Sequence, residues 1–357
     1  MKQSSTPRFR NVLVARFSAL GDVAMTVPVI YSVCRENPAT RFIIITQPVA
    51  ATIFINAPAN LVVVSTDTKV HFHGIGGLIR LANMLIDKYQ IDAFADLHDV
   101  LRTWILGTIL RMRGIPYFRL DKGRSGKRAL TRKHNKRMLP LISQRARYRE
   151  VFYRMGFSFE ESFSSIFGSD KAPAEAFAGI AAPKAQSEKW IAIAPFAKHQ
   201  GKIYPLDLME KVVAALAARE HTRLFLFGAG DTERSVLRRW ADNYPGVTSL
   251  ADKRNGFPTE LALLSHCDVM LSMDSANMHL SSLVKLPVVS VWGATHPYCG
   301  FMGWHQEERN AVQLNMACRP CSVFGNKPCM YHDHFCLKGI APSLIISHID
   351  QVLTAGK

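Results

Sequence analysis

Acidic residues are in short supply in this chain: 28 Asp and Glu face 44 Lys and Arg, for a formal net charge of +16. Long apolar runs are missing as well. The longest stretches, such as Trp104 to Leu110, fall far below the ~20 residues that cross a bilayer. The opening MKQSSTPRFRNVLVARF has no apolar segment closed by a small-residue cleavage site, so no signal peptide is expected and a cytoplasmic location is. Neither a recognition helix nor an aromatic-interleaved basic strand is present, which argues against a nucleic-acid partner despite the charge. The glycine-rich turn Gly228-Ala229-Gly230-Asp231 lacks the full dinucleotide fingerprint and argues against a nicotinamide enzyme.

Cysteine is sparse over most of the chain, but four of the seven crowd the end: Cys318, Cys321, Cys329 and Cys336. A reducing compartment makes a disulfide framework unexpected. The spacing permits a four-thiolate zinc site with His332 or His334 as a spare ligand, yet it lacks the second C-x-x-C of a zinc ribbon. No metal is therefore required by the sequence.

What is present is a soluble composition, 48% hydrophobic and 20% charged, over 357 residues, enough for two domains each with its own core. Charge is concentrated. From Arg119 to Arg149 there are twelve Lys and Arg and one acid, Asp121, so this segment holds +11 of the +16. Such a patch attracts phosphates on a lipid surface or a phosphorylated substrate.

The first half alternates strand and helix signals. Strands are expected at 11–17, 41–47, 61–65 and 91–97, and helices at 22–35, 76–89 and 101–113. Residues 162–188, rich in Ser, Ala, Gly and Pro, read as a linker. The rhythm restarts with strands at 190–195 and 223–228 and helices at 206–218, 232–240 and 258–266. Two more strands, 268–273 and 287–292, and a final helix at 342–354 follow. The fold class is α/β: two Rossmann-like, doubly wound domains facing a cleft. The expected division is a first domain over 1–165, a linker over 166–188, a second domain over 189–340 and a C-terminal helix over 341–357.

Ligands in open α/β sheets bind beyond the carboxyl ends of the strands, which selects four loops. Ser18-Ala19-Leu20-Gly21-Asp22-Val23 follows the first strand, and Asp22 offers a carboxylate at a helix start. Lys198 and Lys202 lie in the loop after the first strand of the second half, where they would neutralise a diphosphate. Gly228 to Asp231 lets a ligand approach the backbone. Asp274-Ser275-Ala276-Asn277-Met278-His279 opens a helix directly after a buried strand, and a helix N-terminus favours phosphate.

Taken together, the S-A-L-G-D-V loop, Lys202-Ile203-Tyr204-Pro205, the D-S-x-x-x-H of Asp274 to His279, Gly293-Ala294-Thr295-His296-Pro297 and the Cys318-Arg319-Pro320-Cys321 loop resemble glycosyltransferase family 9. Its members are the ADP-heptose:lipopolysaccharide heptosyltransferases, and the resemblance covers nearly the whole chain. It implies the GT-B fold and an inverting heptose transfer from ADP-heptose to a lipopolysaccharide inner-core or lipid A-type acceptor, with no cofactor. The first domain would then be the acceptor side and the second the donor side. The resemblance makes Asp22 the base and gives Lys202 the departing ADP phosphates. It assigns Lys202, Asp274, Ser275, Ala276 and His279 to donor binding, to which the strand-end loops add Lys198, Gly228 and Asp231. Asp231 and Glu233 both stand for the ribose-binding acid. Ala276 departs from the family, which usually has glycine there, and its methyl group narrows backbone approach to a phosphate.

Arg124, Lys127, Arg128, Arg132 and Lys133, in the basic segment, are expected to bind the phosphorylated glycolipid acceptor and the inner face of the cell membrane. Two other readings stand beside this one. The first is a GT-B transferase using another nucleotide-sugar for a different surface glycan. The second is a basic, non-catalytic protein binding nucleic acid or membrane.

Overall fold

In the computed structural model, residues 8–68, 70–253 and 255–355 are described; residues 1–7 and 356–357, the outer ends of the expected first domain and last helix, lie outside them. The chain forms two compact units. The first runs through Gly123 and takes in Ile142–Ile166. The second comprises Arg124–Leu141 and everything from Phe167 onward.

The first unit is built on five parallel strands: β1 (Asn11–Ala15), β2 (Arg41–Thr46), β3 (Leu61–Ser65), β4 (Ala93–Asp96) and β5 (Tyr117–Arg119), in the order β3-β2-β1-β4-β5. β1 is apolar at nearly every position because both faces of a parallel sheet are covered by helices. Leu13 pairs with Ile43 on one side and Phe94 on the other, at the middle of a core that includes Leu81, Leu85 and Leu106. The chain winds from β1 outward to β3, then returns to place β4 beside β1. That reversal is a topological switch point, where the loops after β1 and β4 diverge and leave a crevice.

The second unit repeats the plan with β6 (Lys189–Ala194), β7 (Thr222–Leu226), β8 (Val247–Ser249), β9 (Val269–Met273), β10 (Val288–Val291) and β11 (Ala311–Val312). The order is β11-β10-β9-β6-β7-β8, all parallel. Its switch point lies between β6 and β9. Ile193, Leu226 and Leu271 form a core with Val213 and Leu216 of the helix Leu206–Ala217. The last helix, Pro342–Ala355, buries Ile345 and Ile349 in the same core.

Three expectations change. The single helix at 22–35 is two, Leu20–Ala24 and Val27–Glu36, because Pro28 lacks an N–H to continue the first and fits the opening turn of the second. The stretch read as a linker is packed: Phe177, in a 3₁₀ turn, is fully buried with its ring edge-on to Trp190 and His266. The basic segment does not stay with the first domain, since 124–141 belongs to the second unit. There Lys136 Nζ binds the carbonyls of Cys318 and, at 2.9 Å, Pro320, and Leu141 N–H donates to Tyr298 O at 2.9 Å. Among the described residues, no helix is long and apolar enough to cross a membrane.

Candidate active site

Two strand ends at the switch point of the second unit bring opposite charges together. β6 runs into a loop closed by the 3₁₀ turn Gln200–Lys202, and Asp274 directly follows β9. Lys202 Nζ lies 2.9 Å from Asp274 Oδ2, and the Thr295 hydroxyl donates to the same oxygen at 2.8 Å. Thr295, from the loop after β10, is fully buried. An ammonium this shielded from water interacts more strongly with neighbouring charge than it would at a surface.

The scaffold of this cluster is backbone. Ala294 N–H donates to Gly201 O at 2.8 Å, and a Cβ on Gly293 would come within 2.5 Å of that same oxygen. Only glycine permits this approach. Arg319, 3% exposed, holds the loop from the other side. Its guanidinium donates to the carbonyls of Gly293 and Leu314, to Trp292 O at 3.1 Å and Thr295 O at 2.9 Å, and to Gln313 Oε1 at 2.9 Å. Burial and Arg319 together lower His296 to about 4, and its neutral Nδ1 accepts the Tyr298 N–H at 3.1 Å.

Ser275 is the N-cap of the helix Ala276–Leu283, with its hydroxyl 3.2 Å from Ser272 Oγ instead of capping the helix. The first N–H groups of that helix are thus not taken by the cap side chain. Ala276 stands at the first helical position, and His279 is buried one turn on. The loop that carries Lys202 also borders a cavity of about 420 Å³, whose lining includes Phe196, Gln200, Thr232 and Glu233. The two acids weighed for ribose binding part here. Glu233 lines the cavity, its Oε2 held by Ala229 N–H at 2.8 Å, whereas Asp231 is 96% exposed and pairs with Arg234 at 3.1 Å. Gly228 packs on Leu237 and Glu233. Lys198 is exposed and makes no part of the Lys202–Asp274 cluster.

In the first unit, Asp22 sits in the short helix Leu20–Ala24 after β1. Its Oδ2 is 2.6 Å from Arg16 Nη2 and accepts the Ala19 N–H at 3.4 Å. His98, in the loop after β4, accepts the Phe17 N–H on Nδ1 at 3.4 Å. Burial, followed by the charges of Arg16, Lys122 and Arg102, lowers it to about 3, so it stays neutral.

The basic residues separate into two groups. Arg124, Arg128, Arg132 and Lys133 are exposed along and just after the helix Arg124–Thr131. Lys127 turns inward, its ammonium 5.2 Å from the Phe301 ring centre and 5.8 Å from that of Phe324. The nearby Cys299 thiol, raised to about 11 chiefly by burial, has Asp274, Lys127 and Lys202 among its charged neighbours.

Cys318, Cys321, Cys329 and Cys336 line one narrow pocket with Asp333 and His334, and all are free thiols. Among the described residues, no three His, Cys, Asp or Glu side chains are arranged to hold a metal ion. Cys329 Sγ is turned to Asp333 Oδ1 at 3.8 Å.

Two parallel Rossmann-like sheets, one ending in a lysine–aspartate pair beside a helix N-terminus, define a GT-B protein. The chain matches glycosyltransferase family 9 (heptosyltransferase) over residues 86–331, and it belongs to that family. It is 26% identical over 144 residues to lipooligosaccharide heptosyltransferase 2 of Campylobacter jejuni, a match spanning 39% of this chain and 44% of that one. The glycosyl transferase family 9 structure from Veillonella parvula superposes with a TM-score of 0.73 at 15% identity, covering 97% and 98% of the two chains. The E. coli ADP-heptose lps heptosyltransferase II superposes at 0.70 with 15% identity, covering 97% and 99%.

Sequence reasoning missed Arg16, Thr295 and Arg319. Each acts through a contact across the fold; Thr295 and Arg319 stand in motifs that the sequence offered, but nothing in those motifs gave either a role. Arg319 alone carried a signal, a charged residue between two cysteines and beside a proline.

Proposed function

We propose that this protein transfers heptose, with inversion, from ADP-heptose to a phosphorylated inner-core or lipid A-type acceptor. The observation that carries this reading is the shielded Lys202–Asp274–Thr295 cluster at an uncapped helix start, together with a cavity bordered by Glu233 and by Gln200 of the Lys202 loop. The names of the similar proteins supply the substrate classes.

Asp22 removes the proton from the acceptor hydroxyl, whose oxygen then attacks the anomeric carbon. The bond from that carbon to the phosphate oxygen breaks, and ADP departs with the electron pair. Lys202 and the N–H groups at Ala276 and beyond offset the charge that develops on the diphosphate. Asp274 fixes the Lys202 ammonium and, with Ser275 and His279, borders the sugar. Glu233 accepts from the ribose hydroxyls, and Gly228 leaves room beside it. Lys198, exposed, contributes long-range attraction for the nucleotide. No cofactor is needed for these steps.

Arg124, Arg128, Arg132 and Lys133 face anionic lipid at the inner surface of the cytoplasmic membrane and the phosphates of the acceptor, while Lys127 serves the donor side. Exposed Met138 and Leu139 stand five and six residues after Lys133 and suit an interfacial position.

Calorimetry with ADP, UDP and GDP tests the donor assignment. ADP should bind at least tenfold more tightly than the other two. Equal binding of all three, or preference for UDP or GDP, would favour the alternative in which Ala276 accompanies a different nucleotide-sugar.

A further inference from the structure

A cation is built into the first unit where the proposed chemistry needs only a carboxylate. Arg16 directly follows β1 and is 6% exposed. Its backbone N–H donates to Ile45 O at 3.2 Å, which keeps it in line with the sheet. Its guanidinium spans the switch point. Nη1 donates to Leu97 O, just beyond β4, at 2.8 Å, and Nη2 meets Asp22 Oδ2 at 2.6 Å. The carbon of the guanidinium is 5.8 Å from the Tyr148 ring centre, and the Tyr148 hydroxyl donates to the Asp22 carbonyl at 3.4 Å.

We propose that Arg16 is the positioning residue of the catalytic carboxylate, fixing Asp22 so that one oxygen stays occupied and the other faces the acceptor hydroxyl. The proposal rests on the reading of Asp22 as the base. Asp22 lies on a five-residue helix and its side chain is 25% exposed, so its own element provides little to hold it. The planar fork of an arginine can bond a carbonyl and a carboxylate at once, which a lysine ammonium on a flexible stem does less rigidly. With Oδ2 taken by Nη2 and by the Ala19 N–H, Oδ1 is left to receive the proton. The anchor on Leu97 ties the carboxylate to the ends of both β1 and β4. A base held this way meets its proton in one geometry, and a displacement of about 1 Å can cost ~100-fold in rate.

A double-mutant cycle decides the matter, using Arg16→Met, Asp22→Asn and both together in the full chain. Turnover with donor and acceptor, ADP affinity by calorimetry and the thermal midpoint are measured for each. Arg16→Met should lower kcat by ~100-fold with ADP affinity within twofold of wild type. In the Asp22→Asn background the same change should alter kcat by less than twofold, because a residue that acts through Asp22 has nothing left to position. A merely structural role would give losses that multiply. Multiplied losses, or wild-type turnover in Arg16→Met, overturn the inference while leaving Asp22 as the base. Near-normal turnover in Asp22→Asn instead overturns the base assignment, and the inference with it. If Arg16→Met does not fold, Arg16→Lys carries the same cycle. It should lose ~10-fold in kcat in the wild-type background and less than twofold beside Asp22→Asn, and full activity would overturn the inference.

Discussion

The Lys202 ammonium stands 2.9 Å from the Asp274 carboxylate, with 16% and 6% of the two side chains exposed. A pair so shielded is sensitive to loss of either member, because the remaining charge is left uncompensated. Lys202→Ala should lower turnover by ~100-fold and weaken ADP, since charge developing on the diphosphate would lack its nearest cation. Asp274→Asn should weaken the donor as well, by releasing the lysine from its fixed position. Calorimetry on both variants checks this, and unchanged nucleotide binding in both would remove the donor site from this switch point.

Glu233 and Asp231 should behave differently although they are two residues apart. Glu233→Gln keeps the shape of the cavity wall and removes the charged acceptor, so ADP should bind about tenfold more weakly. That corresponds to ~1.4 kcal/mol, at the lower edge of what a hydrogen bond to a charged group contributes. Asp231→Asn changes an exposed side chain and should stay within twofold. The reverse ranking would assign the ribose to Asp231.

Arg319 is expected to matter for stability ahead of binding. Arg319→Met leaves several buried acceptors around the 292–295 loop without their donor, each worth ~1–3 kcal/mol when orphaned. A loss of at least ~3 kcal/mol in urea unfolding is predicted, with a lower midpoint and an unchanged slope. A loss under 1 kcal/mol would show that water replaces the guanidinium without consequence.

Acid should destabilise the fold in a window set partly by histidine. An imidazole has an unfolded pKa near ~6.5, and burial lowers His296 to about 4 and His98 to about 3 in the folded chain. Both rings are neutral in the native state. Their contribution is therefore present above ~6.5 and is lost as pH falls through the folded values, because the unfolded chain takes up the protons first. Carboxylates titrate over part of the same range, so the comparison of wild type with His296→Gln isolates the ring. Urea midpoints from pH 7 to 4 should fall more steeply in wild type. Parallel curves would mean His296 is not held neutral.

Much of the architecture was legible because parallel strands buried on both faces are continuous apolar runs: β1, β2, β6 and β9 all stand out. β5, β8 and β11 did not, being edge strands of two or three residues with too few apolar positions to show a pattern. The helix Arg124–Thr131 was hidden by its charge, since Leu130 is its one buried residue. At the site, Asp22, Lys202 and Asp274 were readable from loop position and motif. Their partners were not. Arg16 and Thr295 reach them from six and twenty-one residues away, and no local spacing encodes those contacts.

The basic segment predicts reversible, salt-sensitive attachment to anionic membranes. Each Lys or Arg near such a surface contributes ~1 kcal/mol, screened beyond about 10 Å at 0.1 M salt. A variant with Arg124, Arg128, Arg132 and Lys133 changed to Gln should lose sedimentation with anionic vesicles while keeping ADP affinity. Lys127→Gln should show the opposite pattern. Equal binding to anionic and neutral vesicles would contradict the membrane role.

The most direct test of the whole account is a transfer assay with ADP-heptose and a phosphorylated, heptose-deficient inner-core acceptor, in which the product's anomeric configuration is read by NMR. The account predicts one heptose added with inverted configuration, one ADP released per transfer, and a ~100-fold or greater loss of rate in Asp22→Asn. Retained configuration, transfer from a UDP- or GDP-sugar in preference to ADP-heptose, or full activity in Asp22→Asn would contradict it.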